Sequence, residues 1–130
     1  MCLVTRQRKP KILKRDLKVY KVLKEGGYSK YTNFCWTPKE LCKENIHTTG
    51  NRGKDMKYCD SKAMDVYWRL SGCIEIDRGF HACCTKERAR KLLAMFGFTE
   101  ESVCEFLIPK GSEVYYDCTG LVVANQMMML

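Results

Sequence analysis

The sequence predicts an α+β fold: a single small domain, mainly antiparallel β-sheet, with one principal helix over about 85–96 and one or two short helices. Three observations carry this. Alternating, β-branched and aromatic segments occur near both ends of the chain, at "LKVYKVLK" (17–24), "VCEFLI" (103–108), "EVYYD" (113–117) and "LVVANQMMML" (121–130). Only one segment, "TKERARKLLAMFG" (85–97), has a sustained helical period. The length of 130 residues suits one domain with a modest core.

In chain order, residues 1–16 form a basic N-terminal arm and 17–130 the α+β domain. Residues 1–18 hold seven of the 23 basic side chains, Arg6, Arg8, Lys9, Lys11, Lys14, Arg15 and Lys18, against the one acid Asp16. The net charge of +8 therefore lies largely in this arm, which suits a polyanion or an acidic protein surface, or simply a solvated terminus. Segment 17–24 is a strand. It places Leu17, Val19, Lys21 and Leu23 on one face and Lys18, Tyr20, Val22 and Lys24 on the other. "EGGYSK" turns, and "YTNFCW" suits a short strand. "TPKELCKEN" (37–45) reads as a short helix, with Thr37 as cap, Pro38 in the first turn and Glu40 completing a capping box. "IHTTGNRGKD" (46–55) reads as a loop that carries Arg52 and Lys54. "SKAMDVYWRLSG" (61–72) fits an edge strand or a short helix. "CIEID" (73–77) alternates and leads into "GFHAC" (79–83), read as a strand that ends at the principal helix. Thr85 caps that helix, Ala89, Leu92, Leu93 and Phe96 form its apolar face, and Gly97 ends it. "PKG" (109–111) is a turn, and 121–130 a last buried strand too short and too polar to span a bilayer.

The nine cysteines follow no export signal, because "MCLVTRQRKPK" lacks an apolar core. The expectation is a cytoplasmic protein without membrane association, its cysteines reduced and mostly buried. No C-x2-C pair is present, so His81-x-Cys83 is at most half a zinc site, and no metal or other cofactor is expected. Cys83 or Cys84 beside His81 suggests a thiolate–imidazole pair. Cys84, just before a helix N-terminus, is the better placed for a lowered pKa. Buried structural thiols explain the same residues, and no catalytic residue is assigned.

"VYKVL" (19–23), "GFHAC" (79–83) followed by a helix, and "IPKGS" (108–112) followed by "YY" (115–116) occur in this order. In this the chain resembles a group of uncharacterised small proteins of gut bacteria and their phages, and the order is similar to that of the ADP-ribosyltransferase fold. The resemblance implies a nucleotide-shaped cleft. It departs from the active pattern at the catalytic positions. Tyr20 or Lys21 stands where that fold carries Arg or His. His81, Ala82 and Cys83 stand in place of the Ser-Thr-Ser-like stretch. No late Glu follows Glu113, only Asp117.

The resulting expectation is a non-enzymatic module binding an anionic ligand, a nucleotide above all, in the manner of a phage sponge for an immune nucleotide second messenger. His81, Arg78, Tyr20, Lys21, Arg52 and Lys54 are the candidate contacts. Two alternatives stand beside it: a divergent NAD-using ADP-ribosyltransferase-like enzyme, and an interaction or inhibitor module that docks its basic arm on an acidic protein. A homo-oligomer fits any of the three.

Overall fold

The computed structural model describes residues 3–24, 28–29, 34–51, 73–96 and 103–130. Within them run strands β1 (Leu3–Thr5), β2 (Lys11–Ile12), β3 (Leu17–Lys24), β4 (Tyr28–Ser29), β5 (Leu41–Lys43), β6 (His47–Asn51), β7 (Ile74–Arg78) and β8 (Phe80–Cys83), then helix α1 (Lys86–Phe96), then β9 (Val103–Ile108), β10 (Glu113–Tyr116), β11 (Leu121–Ala124) and β12 (Gln126–Met129). The strands pair antiparallel throughout. A small sheet has the order β1-β7-β6, and a large one the order β2-β10-β11-β8-β3-β9-β12-β5, with β4 on β3. The protein is thus a single α+β domain, mostly antiparallel sheet, with one helix among the described residues.

β11 and β12 are separated only by Asn125, yet β8, β3 and β9 lie between them in the sheet order. The sheet must therefore curl until its two halves meet at that residue, giving a barrel-like ring. Alternation confirms the corner. Val122 and Ala124 belong to the inner core, as does Met127, so the inward phase slips by one residue across Asn125. An extra residue of this kind bends a strand and lets it change partners. Asn125 stitches the corner: its N–H donates to the Glu113 carbonyl, its Oδ1 accepts from Glu113 N (2.9 Å), and its carbonyl accepts from Glu44 N (2.9 Å).

Two cores follow from the two faces of the ring. Inside lie Val19, Leu23, Phe80, Ala82, Phe106, Ile108, Val122 and Met127 around Trp36. The Trp36 indole meets Phe106 and Phe80 edge-on, at centroid distances of 4.8 and 5.2 Å. Outside, Val22, Cys83, Leu121 and Val123 pack against Ala89 and Leu93 of α1 and against Leu3, Ile74 and Ile76 of the small sheet. Thr85 caps α1, accepting from Arg88 N at 3.2 Å. Among the described residues no helix is long and apolar enough to cross a membrane.

Several expectations change. Residues 37–45 are not a short helix but a turn followed by β5, and α1 is the one helix among the described residues. Lys39 adopts φ 66°, which stops a helix at its second residue, and its N–H donates to the Met129 carbonyl at 2.8 Å. Part of the expected loop 46–55 is β6, whose polar side chains conceal its strand character; 52–55 lie outside the described residues, as do 61–72 and Gly97. The last strand is two strands. Of the seven cysteines described, Cys73 and Cys83 are buried, Cys42, Cys84 and Cys104 half-buried, and Cys35 and Cys118 exposed, so most are not core residues.

Candidate functional site

Of the candidate contacts, the structure brings Lys21 and His81 together. Lys21 shares the inward face of β3 with Val19 and Leu23. β3 and β8 pair at a single position, Tyr20 with Cys83, and beyond it the Lys21 ammonium donates to the His81 carbonyl. The same ammonium lies 5.5 Å from the Trp36 ring centroid. Burial pushes the Lys21 pKa down to about 8, against an opposing effect of Cys83.

The His81 ring points the other way, as alternation along β8 requires. Its Nδ1 lies 3.0 Å from the Gly79 carbonyl, an acceptor only, so Nδ1 carries the proton. Nε2 is buried with no hydrogen-bond partner. Burial lowers the imidazole pKa, and the Lys21 charge lowers it further, despite the Gly79 bond. The Nδ1–H bond ties the ring to the Gly79 carbonyl at the β7–β8 junction.

Tyr20 lies on the outward face of β3 and packs on the outer core. Arg78 belongs to the small sheet, exposed and opposite His47. Arg52 and Lys54 lie outside the described residues. The Cys83 thiol is pushed up to about 11 by burial, and Cys84 is raised by burial and by Asp117. The expected lowering at Cys84 does not occur, because burial and the nearby Asp117 carboxylate both disfavour the thiolate, while Thr85 occupies the cap position of α1. Among the described residues no group of three or more His, Cys, Asp or Glu side chains is placed to hold a metal ion.

Among the described residues, the largest concentration of unneutralised charge lies elsewhere. Residues 5–16 run antiparallel along the outer edge of β10. Thr5 Oγ1 donates to the Tyr116 carbonyl (2.5 Å). Gln7 accepts from Tyr116 N at 3.0 Å and donates to the Val114 carbonyl at 2.9 Å, completing the edge as a peptide group would. Lys11 and Ile12 then pair with Val114 and Glu113, Leu13 N donates to the Ser112 carbonyl, and Asp16 Oδ1 accepts from Lys110 N. Arg6, Arg8, Lys9, Lys11, Lys14 and Arg15 all face solvent along this path, and none forms an ion pair with a described residue. Lys18, beyond them, pairs with Glu105 at 3.3 Å. The basic character was plain in the sequence. Its fixed backbone was not, because Thr5 and Gln7 reveal their role only beside β10.

A second polar pair also went unseen: His47 Nδ1 and Asp77 Oδ1 are 2.6 Å apart on β6 and β7. His47 holds the Asp77 carboxyl below its usual range. Thirty residues separate the two, and only the β6–β7 ladder joins them. No protein-family model, curated protein or solved structure matches the chain.

Proposed function

We propose that the protein is a non-enzymatic module that binds an anionic ligand along the cationic ridge of residues 6–15. One observation carries this: six basic side chains without an ion pair to any described residue stand on a backbone pinned to the β10 edge. Like charges held this close repel one another, and an arriving anion relieves that repulsion without first having to order the chain. A charged edge also discourages strand-to-strand aggregation, and the two roles are compatible. His81 and Lys21 suit a phosphate less well, since burial disfavours charge on the His81 ring and the Lys21 ammonium is already spent on a carbonyl. A nucleotide, alone or in a chain, is the anion that the resemblance to small phage proteins also favours.

Titration of the full chain at low salt with inorganic polyphosphate, oligonucleotides, cyclic oligonucleotides, NAD and ADP-ribose tests the proposal. Binding should weaken with salt and fall at least tenfold in a Lys9→Glu/Lys11→Glu/Lys14→Glu variant, while His81→Ala binds as the wild type does. Silence across the panel overturns the proposal. Loss of binding in His81→Ala with the triple variant unaffected moves the ligand to the β8 end.

A further inference from the structure

We infer that the ligand of the ridge is the sugar–phosphate backbone of a single-stranded nucleic acid. This rests on the ridge being an anion site, and three features of that surface carry it.

The first is shape. The cations do not converge on a cavity. They follow the edge of β10 and the turn before it, from opposite Tyr116 to opposite Lys110, seven residues of chain and so at most about 20 Å. A mononucleotide reaches only part of such a line. A polymer with a repeating charge meets all of it, and a stacked strand carries roughly one phosphate per 3.4 Å, so up to about six over this length. Six exposed cations, none ion-paired with a described residue, line it.

The second is the apolar content of the ridge. Ile12, 57% exposed, projects to the opposite face of the edge from Lys11, whose Nζ sits 5.7 Å from the ring centroid of the half-buried Tyr116, so apolar surface flanks the line of charge on both sides. A ligand matched to this surface presents both phosphate and accessible base or sugar faces. A single strand does, whereas a duplex shows the ridge only phosphate and hides its bases in the stack.

The third is the sparseness of acids. Glu113 and Asp16 share the edge, and Asp16 is committed to the Lys110 amide. Nothing along the line selects one base over another, so contact is to the backbone and sequence-tolerant.

Fluorescence anisotropy of the full chain, with a labelled 12-mer of single-stranded DNA, its duplex, inorganic polyphosphate and poly-glutamate as probes, tests the inference across a salt series. Six phosphate contacts predict a slope of log K against log salt of about −4 for the single strand. Lys9→Ala/Lys11→Ala/Lys14→Ala removes three and should halve it to about −2. These side chains are exposed, and an unchanged thermal midpoint shows that the fold is kept. Ile12→Ser should weaken single-strand binding several-fold and leave polyphosphate binding unchanged. A duplex bound as well as the single strand, or Ile12→Ser without effect, overturns the inference. So does binding of polyphosphate or poly-glutamate without DNA binding, which leaves the anion site standing. No binding to any probe overturns both.

Discussion

Lys21 shows how one side chain can link the inner core to solution pH. Its ammonium is held by the His81 carbonyl over the Trp36 ring. Burial lowers its pKa from 10.5 to about 8. Above pH 8 the folded chain releases this proton while the unfolded chain still holds it. The unfolded state then binds more protons, and stability rises with pH. Cys83 acts in the opposite sense. Its thiol, raised from 9.0 to about 11, favours the fold at low pH, and that contribution is lost as pH climbs through this interval. Cys42, Cys84 and Cys104 are raised in the same direction and add to this opposing slope, which begins below pH 9. The Lys21 contribution is therefore read as the difference between wild type and Lys21→Met. Urea denaturation should show that difference shifting in favour of the wild type by about 1 kcal/mol between pH 8 and 9. A difference that stays constant with pH would mean that the ammonium is hydrated. The sequence placed Lys21 on the apolar face, because it alternates with Leu17, Val19 and Leu23. It could not supply the acceptor, a carbonyl 60 residues away.

At the scale of elements, local patterns held where an element is long and regularly patterned and failed where a short one takes its state from a neighbour. The period of α1 and its Thr85 cap were legible, since the helix bonds within itself. So was β3, with six consecutive partners on β9. The Thr37–Glu40 capping pattern misled because the exposed edge of β12 offers Lys39 and β5 a ladder instead. The β10 edge is the reverse case, in which a side chain replaces part of a strand. Gln7→Ala leaves the Tyr116 N–H unpaired and removes a donor to the Val114 carbonyl at a partly buried edge. It should cost about 1–2 kcal/mol and speed hydrogen exchange at Tyr116. Lys9→Ala, two residues on and exposed, should stay within about 0.5 kcal/mol of wild type. Equal effects of the two would show that Gln7 is not a rung of the edge. Nothing in "TRQRKPK" marks this glutamine, because its role is defined by the strand it meets.

At the scale of the molecule, what must be explained is how a small sheet and a curled one form a single body, and Gly79 is where the chain passes from one to the other. In the sequence it reads as one more position in an alternating strand. In the fold it separates β7 from β8 at φ 134°, a conformation that side chains with a Cβ rarely adopt. A Cβ there would also stand 2.4 Å from Val123 Cγ1, in the outer core that the helix, the ring and the small sheet share. The conformation and the crowding are separable. Gly79→Ala should lose about 3 kcal/mol in chemical denaturation, backbone strain and overpacking each contributing. In a Val123→Ala background the crowding is relieved and the φ cost remains, so the same glycine substitution should cost about half as much. With Trp68 replaced by Phe, fluorescence reports on Trp36 in the inner core, and it and far-UV circular dichroism should give coincident transitions in every variant, because Val123 joins both sheets to α1. A Gly79→Ala variant in which the ring outlasts the rest would show that the two cores unfold independently. The ridge would then keep its β10 support while β1, its anchor in the small sheet, was lost.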